Sequence, residues 1–179
     1  MELAPEILEI AKRAHAGQRY GARPYIEHPL HVARALERFG ARAQAAGLLH
    51  DVIEDSDITA ADLIAAGVDK GVVDAVVALT RQQGTAYADY IDAVAASSER
   101  GVALLTEEEL AGADVEAGSS VSLAALVKLA DNFHNTMASR ADGTVQTTQP
   151  RYARAAVTLR ATIPDSVVEA VRRGVDEQG

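Results

Sequence analysis

His50 and Asp51 stand side by side in the run Gly47-Leu-Leu-His50-Asp51-Val-Ile-Glu54-Asp55-Ser-Asp57, with two more carboxylates one turn further on. On a helix of 3.6 residues per turn neighbouring side chains diverge by about 100°, so an imidazole and a shorter carboxylate can converge on one cation. Glu54 follows His50 by four residues and Asp55 follows Asp51 by four. That spacing sets both acids beside the same site, where they could handle protons. A plainer reading makes them the solvated end of a helix, and it suits Glu54 and Asp55 taken alone. It suits His50-Asp51 less well, because adjacent polar groups entering a buried face behind Leu48-Leu49 need a partner.

The elements that must position these residues read as helices. Ala, Leu, Val and Ile recur at helical spacing and aromatics are only 4% of the chain, so the expected class is all-α. Pro5 suits the first turn of a helix running to about Ala16, ended by His15, either a surface residue favoured by the helix dipole or a neighbour of the site. Residues 17–29 form a turn-rich loop in which Gly21 permits a bend and Pro24 and Pro29 fix two backbone angles. Pro29 suits the first position of a helix from Leu30 to Phe39, so His28 is held in one direction at its start. His31, further into that helix, reads as structural or supporting. Ala43 to Ile53 is the central helix. Thr59 caps the next one with Asp62 in a capping-box arrangement. Helices at Leu63–Ala66, Asp69–Leu79 and Ala86–Ala96 look like scaffold. Between Ser97 and Ser120 the periodicity fades, and a long loop or mobile lid is expected, with Glu107-Glu108-Glu109 as solvated surface. Ser122 to Ala138 is a strong helix on which Lys128, Asp131 and Asn135 share one polar stripe, either a site or a salt-bridged seam. Pro150 to Thr162 and Asp165 to Arg173 complete the set.

A chain of 179 residues is read as one domain, 1–179, with the variable segment at about 97–121. The net charge of −9 disfavours nucleic acid and anionic membranes as partners, and an anionic substrate would need local help. The absence of cysteine excludes thiolate metal sites and cysteine nucleophiles and is compatible with a reducing cytoplasm. No apolar run approaches the ~18 residues that span a membrane, and the N-terminus lacks a secretory pattern. The expected location is cytoplasmic, and a homo-oligomer is compatible with everything above.

His28, His50, Asp51 and a distant Asp131 together supply two imidazoles and two carboxylates from three helical segments, a set suited to a divalent ion with open positions. Three blocks carry this pattern: Gly17-Gln18 with Pro24-Tyr25-Ile26-Glu27-His28-Pro29, then Leu48-Leu49-His50-Asp51-Val52-Ile53-Glu54-Asp55, then Val127-Lys128-Leu129-Ala130-Asp131-Asn132-Phe133-His134-Asn135. In this order they resemble the HD-domain metal-dependent phosphohydrolases, and more narrowly the hydrolase domain of the RelA/SpoT family and its small stand-alone relatives. The resemblance implies an all-α HD-domain bundle. It implies metal ligation by His28, His50, Asp51 and Asp131, with Mn2+ the ion typical of the family. It also implies water activation and proton handling by Glu54 and Asp55, and Lys128 and Asn135 near a bound nucleotide. Such an ion lowers the pKa of water towards neutrality and withdraws charge from a phosphate. Family members often carry an adjacent Arg-Lys pair after the Gly-Gln, whereas this chain has Arg19-Tyr20-Gly21-Ala22-Arg23, one residue shorter. Arg19 and Arg23 are therefore the substrate-binding candidates here, since a guanidinium offers a planar fork to phosphate and can stack on a base.

Three functions compete on this reading. The leading one is hydrolysis of the 3′-pyrophosphate of guanosine tetraphosphate or pentaphosphate. The second keeps the chemistry and changes the nucleotide or phosphate ester, and the third is a non-catalytic module that binds metal or nucleotide. Retention of Glu54 and Asp55 speaks against the third, since a binding module needs neither.

Overall fold

The computed structural model describes residues 4–20, 22–116, 118–136 and 150–177. Its organising element is α9 (Leu123–Thr136). Leu123 to Val127, Leu129 and Ala130 are all without solvent exposure, and a helix apolar on every side in its first half must be surrounded. It is: α2 (Glu27–Ala35), α3 (Gly40–Leu49), α6 (Lys70–Leu79), α7 (Tyr87–Ala95), α10 (Pro150–Thr162) and α11 (Asp165–Asp176) all pack on it. Helix α1 (Pro5–Ala14) lies on α3, while α4 (Val52–Asp55), α5 (Ala60–Ala65) and α8 (Glu107–Gly112) fill the gaps. A two-stranded antiparallel ribbon, β1 (Arg19–Tyr20) with β2 (Arg23–Pro24), pairs Arg19 with Pro24 and Tyr20 with Arg23. The fold is thus all-α apart from that ribbon, as the sequence predicts.

Two glycines set how closely the helices approach. A Cβ on Gly47 would lie 3.1 Å from the Ala33 Cα and one on Gly174 would lie 2.1 Å from the Ala35 carbonyl oxygen. Hence α3 and α11 both press on the backbone of α2, the helix that carries His28 in its first turn.

Several boundaries differ from those the sequence predicts. Helix α2 starts at Glu27 rather than Leu30, and Pro29 occupies its third position. This is tolerated because an amide in the first turn has no carbonyl to reach. The helix ends at Ala35, and a 3-10 turn at Glu37–Phe39 follows. The predicted central helix is two helices, α3 and α4, parted at His50-Asp51. There the His50 Nδ1 donates to the Gly47 carbonyl at 2.7 Å, competing with the helical ladder for that oxygen. Asp51 sits at φ −101°, ψ −3°, in the sparsely used region between helix and strand.

The segment expected to be a long loop or lid, 97–120, is largely built in. Helix α8 has a capping box between Thr106 and Glu109, Leu104 bridges to Ser122, and Leu105, Leu110, Ala113 and Val115 are buried. Within the acidic run Glu109 is not solvated surface, because it takes two bonds from Arg42 Nη1 at 3.1 and 2.9 Å. The Thr59–Asp62 capping box forms as expected. Helix α11 runs three residues beyond the predicted end, to Asp176. The bend assigned to Gly21 and the helical positions 137 and 138 lie outside the described residues.

Candidate metal centre

The break at His50-Asp51 turns two adjacent side chains inward beside α2 and α9. His28 Nε2 lies 3.1 Å from Asp131 Oδ1 and 3.7 Å from Asp51 Oδ2. His50 Nε2 lies 3.0 Å from Asp51 Oδ2 and 3.9 Å from Asp131 Oδ1. The donor atoms of His28, His50 and Asp51 all fall within 4.8 Å of one another. The four residues proposed as ligands from sequence therefore converge, although they come from three segments.

Each of these groups is fixed from behind. Because a carbonyl only accepts, the bond from His50 to Gly47 places the proton on Nδ1. In the neutral form that binds a cation, the lone pair at Nε2 faces the cluster, and that buried atom has no hydrogen-bond partner despite the nearby Asp51 oxygen. A buried nitrogen without a donor, facing two carboxylates, fits a cation held by nitrogen and oxygen. Tyr25 donates to Asp51 Oδ2 at 2.7 Å; burial, then the Asp51 charge, pushes its phenol well above the ordinary range, so it remains a donor. Asp131 accepts from Lys128 Nζ at 2.9 Å and from Asn135 Nδ2 at 2.5 Å.

The electrostatics follow from this packing. Burial opposes protonation of His50, yet the Asp51 and Asp131 carboxylates outweigh it and raise the ring to about 9. Burial also works against ionisation of Asp51, but His50 and His28 hold it below the usual carboxylate range. Asp131 is held well below it by Lys128, again against its burial. Burial disfavours the Lys128 charge, but Asp131 and Tyr90 stabilise it and keep its pKa well above the ordinary lysine value. The polar stripe of α9 is thus both things the sequence allowed, a salt-bridged seam and one side of the site.

Of the cluster, His28, Asp51 and Asp131 line a cavity of about 250 Å³, together with Glu54, Arg81, Lys128, Asn135 and Arg151, while His50 is not among the lining residues. All five tyrosines of the chain line it: Tyr20, Tyr25, Tyr87, Tyr90 and Tyr152. The Arg151 guanidinium lies 5.4 Å from the Tyr87 ring and 4.9 Å from that of Tyr152, and Lys128 Nζ lies 5.2 Å from the Tyr90 ring. Glu54 faces this cavity and accepts from the Arg81 amide at 2.9 Å. Asp55 points elsewhere, lining a second depression with Arg13 and Ser56. Its carboxyl is raised by partial burial and by the Asp51 and Glu54 charges, so it is coupled to the cluster without lining it.

Arg19 and Arg23 are not among the lining residues. Arg19 donates to the Ala22 carbonyl within its own ribbon, and Arg23 is 3.9 Å from Glu27 at the surface. The cavity takes its arginines from Arg81 and Arg151, which sequence reasoning missed. Tyr25, Tyr87, Tyr90 and Tyr152 were missed as site residues too. A signal for them existed: in a chain with five tyrosines and two phenylalanines, most aromatic rings carry a polar handle. His15 is buried rather than superficial, with Nδ1 2.9 Å from Gln18 Oε1 and its ring 5.0 Å from that of Tyr25. Gln18 in turn donates to the Asp55 carbonyl at 2.7 Å.

A helical scaffold that gathers two histidines and two aspartates from α2, the α3–α4 joint and α9 defines a centre for a divalent cation. Comparison with known proteins agrees: residues 8–163 match the HD domain family. The chain belongs to the HD-domain family. Its similarity to guanosine-3′,5′-bis(diphosphate) 3′-pyrophosphohydrolase of Vibrio cholerae is 51% identity over 57 residues, 30% of this chain and 8% of that protein. To the enzyme of the same name from Borreliella burgdorferi it is 43% over 60 residues, 32% of this chain and 9% of the relative. The chain thus spans less than a tenth of these two proteins. Among solved structures, a metazoan ortholog of SpoT, described as hydrolysing ppGpp with a role in starvation responses, superposes with a TM-score of 0.63 at 20% identity. That match covers 100% of this chain and 98% of the other.

Proposed function

We propose that this protein is a metal-dependent phosphohydrolase that removes the 3′-pyrophosphate of guanosine tetraphosphate or pentaphosphate. The observation that carries the proposal is the buried His50 Nε2, without a hydrogen-bond partner, aimed into a two-His, two-Asp cluster that borders a cavity edged with cations. His28, His50, Asp51 and Asp131 would hold the ion, Mn2+ by analogy with the family. When bound, it supplies an activated water and a counter-charge to phosphate. Lys128 and Asn135 fix the Asp131 carboxylate, and Tyr25 fixes that of Asp51. Glu54 faces the reacting space with one oxygen held by the Arg81 amide, so it is the residue to take a proton. Asp55, outside the cavity, supports the charge balance from behind. Arg81 and Arg151 bring positive charge to a protein of net charge −9, which an anionic substrate requires.

A cavity of about 250 Å³ is small beside the roughly 300–1,000 Å³ of most ligand pockets. It suits the phosphorylated end of a substrate, with the remainder against the Tyr87–Arg151–Tyr152 rim. The displacement of Arg19 and Arg23 favours one second reading, an HD phosphohydrolase for another nucleotide. A panel of nucleotides with Mn2+ tests both. Release of pyrophosphate from guanosine tetraphosphate is expected; cleavage of another nucleotide alone would move the chain to the second reading, and no cleavage would end both. No described helix is long and apolar enough to cross a membrane, and the cytoplasm is the proposed site of action.

A further inference from the structure

His28 and His134 meet through their Nδ1 atoms at 2.8 Å in a buried contact. Their rings are within 11° of parallel and their centroids 5.1 Å apart. The excess of the centroid separation over the nitrogen separation matches two ring radii, so the rings lie end to end in nearly one plane. That is the geometry of an N–H···N hydrogen bond rather than of a face-to-face stack. Such a bond needs one proton between the two nitrogens, and its position follows from the other end of His28. There Nε2 faces the Asp131 and Asp51 carboxylates and must carry a lone pair to bind a cation, which leaves the proton on Nδ1.

We infer that His134 is the positioning residue for His28, accepting its Nδ1 proton and so fixing the tautomer and ring plane that turn Nε2 towards the metal. The inference rests on the reading of His28 as a ligand. Metal-binding histidines ordinarily give this proton to a carboxylate, a backbone carbonyl or water. His50 follows that habit through Gly47; His28 gives its proton to a second imidazole. The His31 ring lies beside His134, with centroids 4.8 Å apart and planes within 16°. The His31 Nδ1 donates to the Glu27 carbonyl at 2.6 Å, which ties that ring to the turn of α2 bearing His28. Three imidazoles from two helices thus hold one ligand in direction.

The test is Mn2+ affinity, measured by the free-ion electron paramagnetic resonance signal, for wild type, His134→Phe, His134→Asn and His28→Ala. Phe keeps the ring and removes the acceptor, while Asn places a carbonyl oxygen where Nδ1 stands. His134→Phe is expected to weaken binding about 10- to 100-fold, the scale of such supporting contacts, and His134→Asn to recover most of it. Unchanged affinity in His134→Phe, with affinity lost in His28→Ala, overturns the inference alone. Unchanged affinity in His28→Ala overturns the ligand reading and the inference with it. Should His134→Phe not fold, nitrogen-15 shifts of the wild type loaded with a diamagnetic divalent ion such as Mg2+ decide. A proton on His28 Nδ1 supports the inference, and one on Nε2 defeats it.

Discussion

Two walls of one cavity are built in opposite ways. On the ligand side His28, His50 and Asp131 are almost wholly buried, and each has its outer polar atom tied down, to His134, to the Gly47 carbonyl, and to Lys128 and Asn135. On the facing side Arg81 and Arg151 are exposed, Tyr20 and Tyr87 half-buried, and the contacts there include guanidinium over ring rather than aligned hydrogen bonds alone. The first wall has one arrangement because every alternative leaves a buried polar group unpaired. The second can re-pack around different ligands at little cost. Chemistry requires the first kind of wall; recognition tolerates the second.

Substitutions should separate the two sharply. His50→Ala removes a proposed ligand from the rigid wall, so metal content by elemental analysis should drop from about one ion per chain towards zero. Turnover should fall ~1,000-fold or more, at least about 4 kcal/mol of barrier. Equal metal in the variant would erase the distinction between the walls. Glu54→Gln should keep the metal and slow turnover ~100-fold, the usual scale for a general acid or base. Asp55→Asn, lying outside the cavity, should cost less, and a reversed order in single-turnover rates would reassign the pair. The rigid wall should also respond to pH. A metal ion must displace the proton from His50, whose folded pKa of about 9 exceeds the ordinary imidazole value, so Mn2+ affinity should rise about tenfold per pH unit from pH 7 until it levels near 9. By linkage, the metal-free protein has the His50 contribution in full below the unfolded pKa and loses it as pH climbs through the folded one. Thermal melts with and without Mn2+ across that range read both effects. The recognition wall should give smaller changes: Arg81→Ala or Arg151→Ala about a tenfold loss in kcat/KM, roughly 1.4 kcal/mol, and Arg19→Ala about twofold or less. A larger loss at Arg19 would show that the ribbon closes on the ligand.

The same contrast explains what the sequence reveals. His50 and Asp51 are adjacent, and the family resemblance of the three sequence blocks implies that His28 and Asp131 join them, so the rigid wall is legible before any coordinates. Arg81 lies two residues past the end of α6 and Arg151 in the first turn of α10. Only the packing of α6 and α10 on α9 brings them to the cavity, and no local pattern records that. Asp55 faces a neighbouring depression for a related reason: the i, i+4 rule assumes an unbroken helix, and the turn at Asp51 changes the phase. In 97–120 the serines and glycines hid a helix whose single buried leucine, Leu110, is too short a stretch to register as periodic.

The contact of Gly174 with Ala35 has a consequence for the order in which the molecule comes together. Helix α11 braces the helix bearing His28 from far along the chain, and its reach is measured by Arg38 and Glu177, which pair across 139 residues. During synthesis His28, His50 and Asp51 emerge from the ribosome long before that brace exists. At roughly 5–20 residues per second the interval lasts about 7–28 s. In that interval α2 lacks one of the two helices pressed against its backbone, and until α9 emerges the first three proposed ligands lack the fourth. A nascent chain would therefore bind its cation weakly, and the centre tightens only once α9 and then α11 have docked.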